Sequence, residues 1–293
     1  MIDDDDITAT TTLLSCYQSN QIGSAKVDAM LEFVRNEFEH LETAGINADV
    51  RTIGKGFWRA ASRMGRVMLI ACMDNYESVD YAAGMARSFG IPSVAATVGR
   101  DAVEVLVFPA DPNEACCRCL GLFGGPAKPC LGRRDEAPAT ISTLDIGAIS
   151  GGTACVLARQ LAAGDITHTK DVHLTFRSDV VLHADVSDVA RTPSCLCHEK
   201  PDAPTIRVSP MTTQHSWSQV AESLGDSQAV LLADALPPIE TDTPEAKLPL
   251  REIGIPLWPI IDCESGGRRS LLEIAGDKDL LGLTSILEAG DDA

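Results

Sequence analysis

Between Ile22 and Leu41, apolar residues recur at spacings of three and four. Val27, Met30, Leu31, Val34 and Phe38 share one stripe, which predicts an amphipathic helix with that face buried. Gly45 closes the helix, and the alternation Ala48-Asp49-Val50-Arg51-Thr52-Ile53 predicts a short strand. The unbroken apolar run from Arg66 to Cys72 predicts a strand covered on both faces. Ser78 to Phe89 has helical spacing and ends in Gly90-Ile91-Pro92, a glycine for the left-handed cap and a proline that cannot continue the helix. Ser93 to Val98 predicts another strand, and Ala102 to Phe108 alternates like a strand with one wet face.

Strand, helix, strand, helix, strand predicts an α/β fold with a parallel, doubly wound, Rossmann-like sheet. Such sheets place ligands beyond the carboxyl ends of their strands. That singles out Asp3 to Asp6, just after the chain start, and Asp74-Asn75, just after Cys72. Further on, Gly124 to Thr140 reads as a loop. Ile146 to Ala163 reads as a helix whose small residues (Ala148, Ser150, Gly151, Gly152, Ala154, Ala158) suit close approach to another backbone, such as a second subunit. Asp171 to Arg177 and Asp179 to Val186 predict a hairpin. Beyond it, Thr205 to Val208, a helix over Ser216 to Leu224, and Ala229 to Leu236 predict a small α/β unit. Pro237 to Lys247 reads as a linker, Leu248 to Ile261 and Ser270 to Ile274 as strands around a turn at Ser265-Gly266-Gly267, and Glu288 to Ala293 as a frayed tail. No internal repeat is present, and the composition divides the chain into residues 1–204 and 205–293.

Charge removes whole classes of partner. The 293 residues include 42 Asp and Glu against 24 Lys and Arg, a formal net charge of −18. Such a surface repels phosphate backbones and anionic lipid, which argues against nucleic acid and membrane. It serves solubility, or attraction to a basic protein partner. No apolar run approaches the roughly 18 to 20 residues of a membrane span. Met1-Ile2 followed by Asp3 to Asp6 is the opposite of a cationic export signal. Ten cysteines without such a signal predict a reducing, cytoplasmic setting in which thiols stay reduced or bind metal.

Cys116-Cys117-Arg118-Cys119 supplies a C-x-x-C, whose tight turn lets two thiolates face one ion. Cys195-Leu196-Cys197-His198 supplies a second pair. Two local pairs of soft ligands across a long intervening segment predict a closed tetrahedral structural zinc site formed by Cys116, Cys119, Cys195 and Cys197. Cys195 with His198 restores the wider spacing, so His198 is the alternative fourth ligand. Cys16, Cys72, Cys155 and Cys263 lie among apolar residues and read as core. Cys117 and Cys130 flank the metal loop and read as exposed.

Four stretches resemble the ThiF/MoeB/HesA family, the adenylating enzymes related to the ubiquitin-activating enzymes. Ile2-Asp3-Asp4-Asp5-Asp6-Ile7 resembles the family's strand ending in D-x-D-x-V, and Ile22-Gly23-Ser24-Ala25-Lys26-Val27 resembles its (V/I)-G-x-x-K. Ala71-Cys72-Met73-Asp74-Asn75 resembles its strand-D-N. Gly90-Ile91-Pro92, a paired-strand region, Cys116 to Leu120, a small-residue helix and the second cysteine pair then follow in the family's order. The match covers roughly residues 1 to 200. The resemblance implies a ribose contact at Asp3 with Asp5 second, a phosphate contact at Lys26, magnesium at Asp74 beside Asn75, and zinc away from the chemistry. It also implies ATP-dependent adenylation of the C-terminal carboxylate of a small ubiquitin-like or sulfur-carrier protein, by a homodimer or a pair of related subunits.

The departures shape the expectation. In the family a glycine-rich G-x-G-G-x-G turn and its helix precede the D-x-D strand, where this chain begins. A competent enzyme would therefore draw its phosphate loop from another polypeptide or from an upstream start. The family's N-x-x-R segment has no counterpart: Thr8 to Leu14 fills its place, and Arg59, Arg63 and Arg66 are the nearest arginines. Asp3 to Asp6 also fits a solvated acidic run, Lys26 an ordinary first-turn lysine, and Asp74-Asn75 a helix cap. The alternative to an enzyme is a non-catalytic, zinc-braced scaffold for a partner subunit or carrier protein.

Overall fold

The computed structural model of the protein describes residues 1–73, 75–98, 102–120, 144–176, 182–193, 195, 206–233 and 236–283. In chain order the first elements are β1 (Ile2–Asp3), α1 (Ala9–Leu14), α2 (Lys26–Glu37), β2 (Ile46–Asn47) and α3 (Lys55–Arg63). They are followed by β3 (Leu69–Ala71), α4 (Tyr76–Ser88), β4 (Ser93–Val98), β5 (Ala102–Phe108), α5 (Leu144–Ala163), β6 (Lys170–Phe176) and β7 (Leu182–Asp188). The last are β8 (Ile206–Ser209), α6 (Trp217–Ser223), β9 (Val230–Leu232), β10 (Ile239–Glu240), β11 (Ile260–Ser265), β12 (Arg268–Ile274) and α7 (Asp277–Leu280). Contacts gather them into two units. The first contains Met1–Asp5, Ala25–Gly65 and Pro201–Ala293, the second Asp6–Ser24 and Arg66–Lys200. Residues 25–65 thus group with the C-terminal part, which differs from the division at residue 204 suggested by composition.

The second unit is built on a five-stranded sheet in the order β3-β4-β5-β6-β7. Within it β3 and β4 are parallel, whereas β4–β5, β5–β6 and β6–β7 are antiparallel. In this sheet the parallel, doubly wound arrangement expected from the sequence is therefore confined to one pair. Connection length explains this: α4 gives β3 and β4 the long crossover a parallel pair requires, but only residues 99–101 separate β4 from β5. Helix α4 starts on Asn75, whose side chain accepts from the Ser78 amide at 2.8 Å. It ends on Gly90 at φ +69°, where the Ile91 amide reaches back to the Ala86 carbonyl, as the Gly-Ile-Pro sequence predicts.

Two strand expectations need correction here. β5 has no wet face: Val103, Val105 and Val107 pack with Ala154 and Ala158 of α5, while Leu106 and Phe108 join Val79 and Ala83 of α4. β3 is shorter than predicted and is an edge strand, with β4 as its partner, so Ile70 is 47% exposed. Helix α5 turns Ser150, Ala154 and Ala158 inward, four residues apart. A Cβ added at Gly147, Gly151 or Gly152 would meet nothing within 4 Å, so the described residues contain no backbone pressed against these glycines. Among the described residues Ile146–Ala163 does have the length and hydropathy of a span, a mean of 1.2 over 18 residues, contrary to the sequence reading; it lies against β4 and β5.

In the first unit β1 pairs in parallel with β2, joined by α2, and a second sheet runs β10-β9-β11-β12-β8. Helix α2 is shorter than the predicted Ile22–Leu41 stripe; Val27, Ala29 and Leu31 are buried but Phe38 is exposed. The predicted strand at 48–53 is replaced by a 3-10 turn at Val50–Thr52, because Asp49 accepts from the Arg51 amide at 2.9 Å and draws the backbone into a turn. Ser216 and Gln219 form a reciprocal capping box on α6, and Trp217, fully buried, donates to the Ala229 carbonyl. The stretch 237–247 is no linker. It contributes β10 and a fully buried Ala246, fastened by the Ser218 hydroxyl to the carbonyls of Thr241 and Ala246.

A buried polar network holds residues 54–59 to the C-terminal sheet. Trp258 has φ +53°, a conformation that disfavours a side chain and ends any strand over 248–261. Its amide donates to Asp277 at 2.7 Å, its indole N–H donates to Glu273 at 2.9 Å, and its carbonyl accepts from the Gly56 amide at 2.9 Å. A Cβ on Gly56 would sit 2.1 Å from the Trp258 ring, so only glycine fits. Arg59 pairs with the same Glu273.

Candidate functional site

Cys116 precedes a 3-10 turn at Cys117–Leu120, in which the Cys119 amide donates to the Cys116 carbonyl at 2.9 Å. The loop entering this turn is clamped from α4. The Arg87 guanidinium donates to the carbonyls of Pro112 and Glu114 at 2.6 Å and of Ala115 at 3.2 Å. The start of β6 adds the Thr169 amide to the Glu114 carboxylate at 3.0 Å and the Thr169 hydroxyl to the Ala115 carbonyl at 2.9 Å. Arg118 lies 3.6 Å from Asp80, whose carboxyl burial pushes up and Arg118 partly draws back. From the other side of the sequence, the Cys195 amide donates to the Thr192 carbonyl at 3.0 Å.

The result brings three predicted ligands together. Cys116 Sγ lies 3.8 Å from Cys119 Sγ and 3.5 Å from Cys195 Sγ. Thiolates bound to zinc at about 2.3 Å in a tetrahedron sit about 3.8 Å apart, so these spacings suit one shared ion and are far too long for disulfides. The Thr192 amide donates to Cys119 Sγ at 3.3 Å, the kind of outer contact that steadies a metal-bound thiolate. Cys197, His198 and Cys130 lie outside the described residues. Cys263 is buried, as the sequence predicts, but the other cysteine expectations change: Cys117 is buried, and Cys16, Cys72 and Cys155 are exposed rather than core. A hydrophobic neighbourhood in sequence does not bury a residue that falls off the inward stripe of its helix, as Cys155 does beside Ala154 and Ala158.

The residues expected at a nucleotide are placed less decisively. Asp3, Asp5 and Lys26 lie together in the first unit. Lys26 opens α2 and its Nζ is 2.5 Å from Asp5 Oδ2, while Asp3 Oδ1 accepts from the Asp5 amide at 2.9 Å. Asn75 belongs to the second unit and spends its side-chain oxygen as the cap of α4. Asp74 lies outside the described residues. Burial pushes the Asp3 carboxyl above its ordinary value, opposed by the Asp5 amide and by Lys26. A raised carboxyl favours folding most below the unfolded value and loses that advantage as pH rises through the folded one. Asp3→Asn is therefore expected to melt slightly higher than the natural protein near pH 7, with the difference vanishing below about pH 4. Melting curves across that range check it; a lower melting point at pH 7 would contradict the burial argument.

Sequence reasoning missed Arg87, Thr169 and Thr192. Arg87 has the position of a routine cation in a helix's last turn, and only the fold shows that it reaches a loop instead.

No protein-family model and no curated protein matches the sequence. Solved structures do match in shape. E. coli MccB crystallised with AMPCPP and selenomethionine MccA is 11% identical, with a TM-score of 0.50 over 68% of this chain and 58% of MccB. The same enzyme with selenomethionine MccA alone gives 11% identity and 0.50 over 67% and 58%. The fold is ThiF-like. PaaA is 14% identical, with a TM-score of 0.46 over 64% of this chain and 63% of PaaA. This chain spans less than two thirds of the length of these proteins.

Proposed function

We propose that this protein is an adenylating enzyme of the ThiF kind, which activates the C-terminal carboxylate of a small peptide or carrier protein with ATP. The observation that supports this most is the shared fold with E. coli MccB, a protein crystallised with both AMPCPP and its MccA partner. The order of the D-x-D, G-x-x-K and strand-D-N stretches adds to it. In the reaction a carboxylate oxygen bonds to the α-phosphorus of ATP, the bond to the bridging oxygen of the β-phosphate breaks, and pyrophosphate leaves. The protein's part is to hold the reactants and neutralise charge. Asp3 would accept from the ribose, and Lys26, on leaving Asp5, would face phosphate. Asp74 would hold magnesium, which offsets the charge of the leaving pyrophosphate, beside Asn75, whose side-chain oxygen caps α4. Cys116, Cys119 and Cys195, with Cys197 or His198, would hold a zinc ion that braces the loop and takes no part in the chemistry. Pairing with a second copy or a related subunit belongs to the same reading.

One observation favours a non-catalytic scaffold. The place of the family's N-x-x-R segment is taken by α1, Ala9–Leu14, which contains neither asparagine nor arginine. Pyrophosphate exchange separates the two. With ATP, magnesium and a panel of peptides or carrier proteins bearing a free C-terminus, exchange is expected and should fall about 100-fold in Asp74→Ala and Lys26→Ala. Peptide or carrier binding without any exchange would overturn adenylation in favour of the scaffold.

A further inference from the structure

The sheet of the second unit packs Val103, Val105 and Val107 of β5 and their apolar neighbours against α5, but its other face carries a line of polar side chains. Register sets Thr97 of β4 opposite Glu104 of β5, Glu104 opposite His173 of β6, and His173 opposite Asp185 of β7. Asp171, two residues from His173, shares that face. Glu104 is only 2% exposed in the middle of a five-stranded sheet, which is an expensive place for a carboxylate. His173 Nε2 lies 3.0 Å from Glu104 Oε1 and 3.9 Å from Asp171 Oδ1. One donor atom from each of the three residues falls within 4.8 Å of the others.

We propose that Glu104, Asp171 and His173 form a divalent-cation site of the nitrogen and oxygen kind, suited to zinc or manganese and separate from the cysteine cluster. One imidazole with two carboxylates is a common donor set for such ions. For bonds of about 2.1 Å, donors about 3.0 Å apart subtend close to a right angle at the ion and donors about 3.9 Å apart subtend roughly 135°. The first is the angle of neighbouring donors on one ion, and the second comes within reach of a regular angle by side-chain rotation, with the strands where they are. Glu104 and Asp171 each have further polar or electrostatic contacts, so their burial alone does not require a metal.

An independent observation comes from Thr97. It is 6% exposed, its hydroxyl has no hydrogen-bond partner among the described residues, and register points it at Glu104. A buried hydroxyl left without a partner is uncommon. A water on the ion, or a carboxylate oxygen reoriented by ligation, would give it one. The row also offers a way in: burial falls from Thr97 and Glu104 through the partly exposed His173 to the exposed Asp185.

Cobalt(II) tests this on the full-length, metal-stripped protein, because its spectrum separates thiolate from nitrogen and oxygen ligation. The expected result is one equivalent of cobalt with weak visible bands and no sulfur charge-transfer, whether or not the cysteines bind a second. His173→Gln and Asp171→Asn should each abolish that equivalent and leave any charge-transfer bands intact, while Cys116→Ser should do the reverse. Cobalt stoichiometry and visible bands unchanged in both folded variants would overturn the site. Melting curves verify folding; if both variants fail to fold, Thr97→Val decides. It keeps the shape of the side chain and should weaken cobalt binding about 10-fold; unaltered affinity there would count against the proposal.

Discussion

Cys116→Ser is expected to lose the zinc proposed for the cysteine cluster and to loosen the second unit by several kcal/mol. The scale follows from structural zinc sites, where apparent binding free energies reach about 10–16 kcal/mol and act as folding free energy. Cys116 should be the most sensitive position, since it is 7% exposed and its sulfur neighbours both Cys119 and Cys195. Cys195→Ser should behave alike, and a chelator should lower the melting temperature rather than merely inhibit. Metal analysis together with thermal melting measures both effects. Undiminished zinc in the two variants, or a chelator without effect on stability, would rule out a structural ion at these thiols.

The second large effect is expected in the first unit. Asp277, fully buried, accepts from the Thr213 amide at 2.8 Å, the Thr213 hydroxyl at 3.0 Å and the Trp258 amide at 2.7 Å. Asp277→Ala strands two buried amides and removes the partner that holds Trp258 at positive φ. At about 1–3 kcal/mol for each orphaned donor, the total loss is about 3–5 kcal/mol. Asp277→Asn keeps one accepting oxygen and should lose roughly half as much. Denaturant unfolding measures both, and a loss under about 1 kcal/mol for the alanine variant would contradict this account of the network.

Local chemistry was the part of the fold most legible in the sequence. The caps at Asn75, Ser216 and Gly90 depend on side chains and backbone within a few residues, so the helices they bound were foreseeable. Strand direction was not, because it depends on what links the strands rather than on their own pattern. Glu104 shows a second limit: a charge inside an apolar run signals a wet face unless a partner strand brings it company, and here His173, 69 positions away, does so. Equally invisible was the role of 237–247, whose prolines and acids suggest a linker while its backbone carbonyls are satisfied by Ser218.

The candidate site divides along the same line. Two cysteine pairs can be paired on paper because ligand type and spacing carry the information. The clamp formed by Arg87, Thr169 and Thr192 joins side chains and backbone from distant segments, and no spacing announces it. At the nucleotide-type residues the sequence pointed to side chains with chemical capacity, but capacity has local competitors: Lys26 finds Asp5, and Asn75 finds the first turn of its own helix.

The interrupted course of the first unit has a consequence in time. Arg59 and the Glu273 it pairs with are 214 positions apart, and Ile53 bridges to Leu257 across a similar interval. On a ribosome adding about 5–20 residues each second, α2 and α3 emerge many seconds before the strands they need. β3 to β7, by contrast, lie within one continuous stretch and can pair as they appear. Closing the long loop adds little free energy, because that term grows only with the logarithm of length. The delay is the larger burden: Ile53, fully buried in the finished protein among Trp258, Leu281 and Leu283, must wait uncovered until the end of synthesis, so residues 25–65 are the segment most in need of a chaperone.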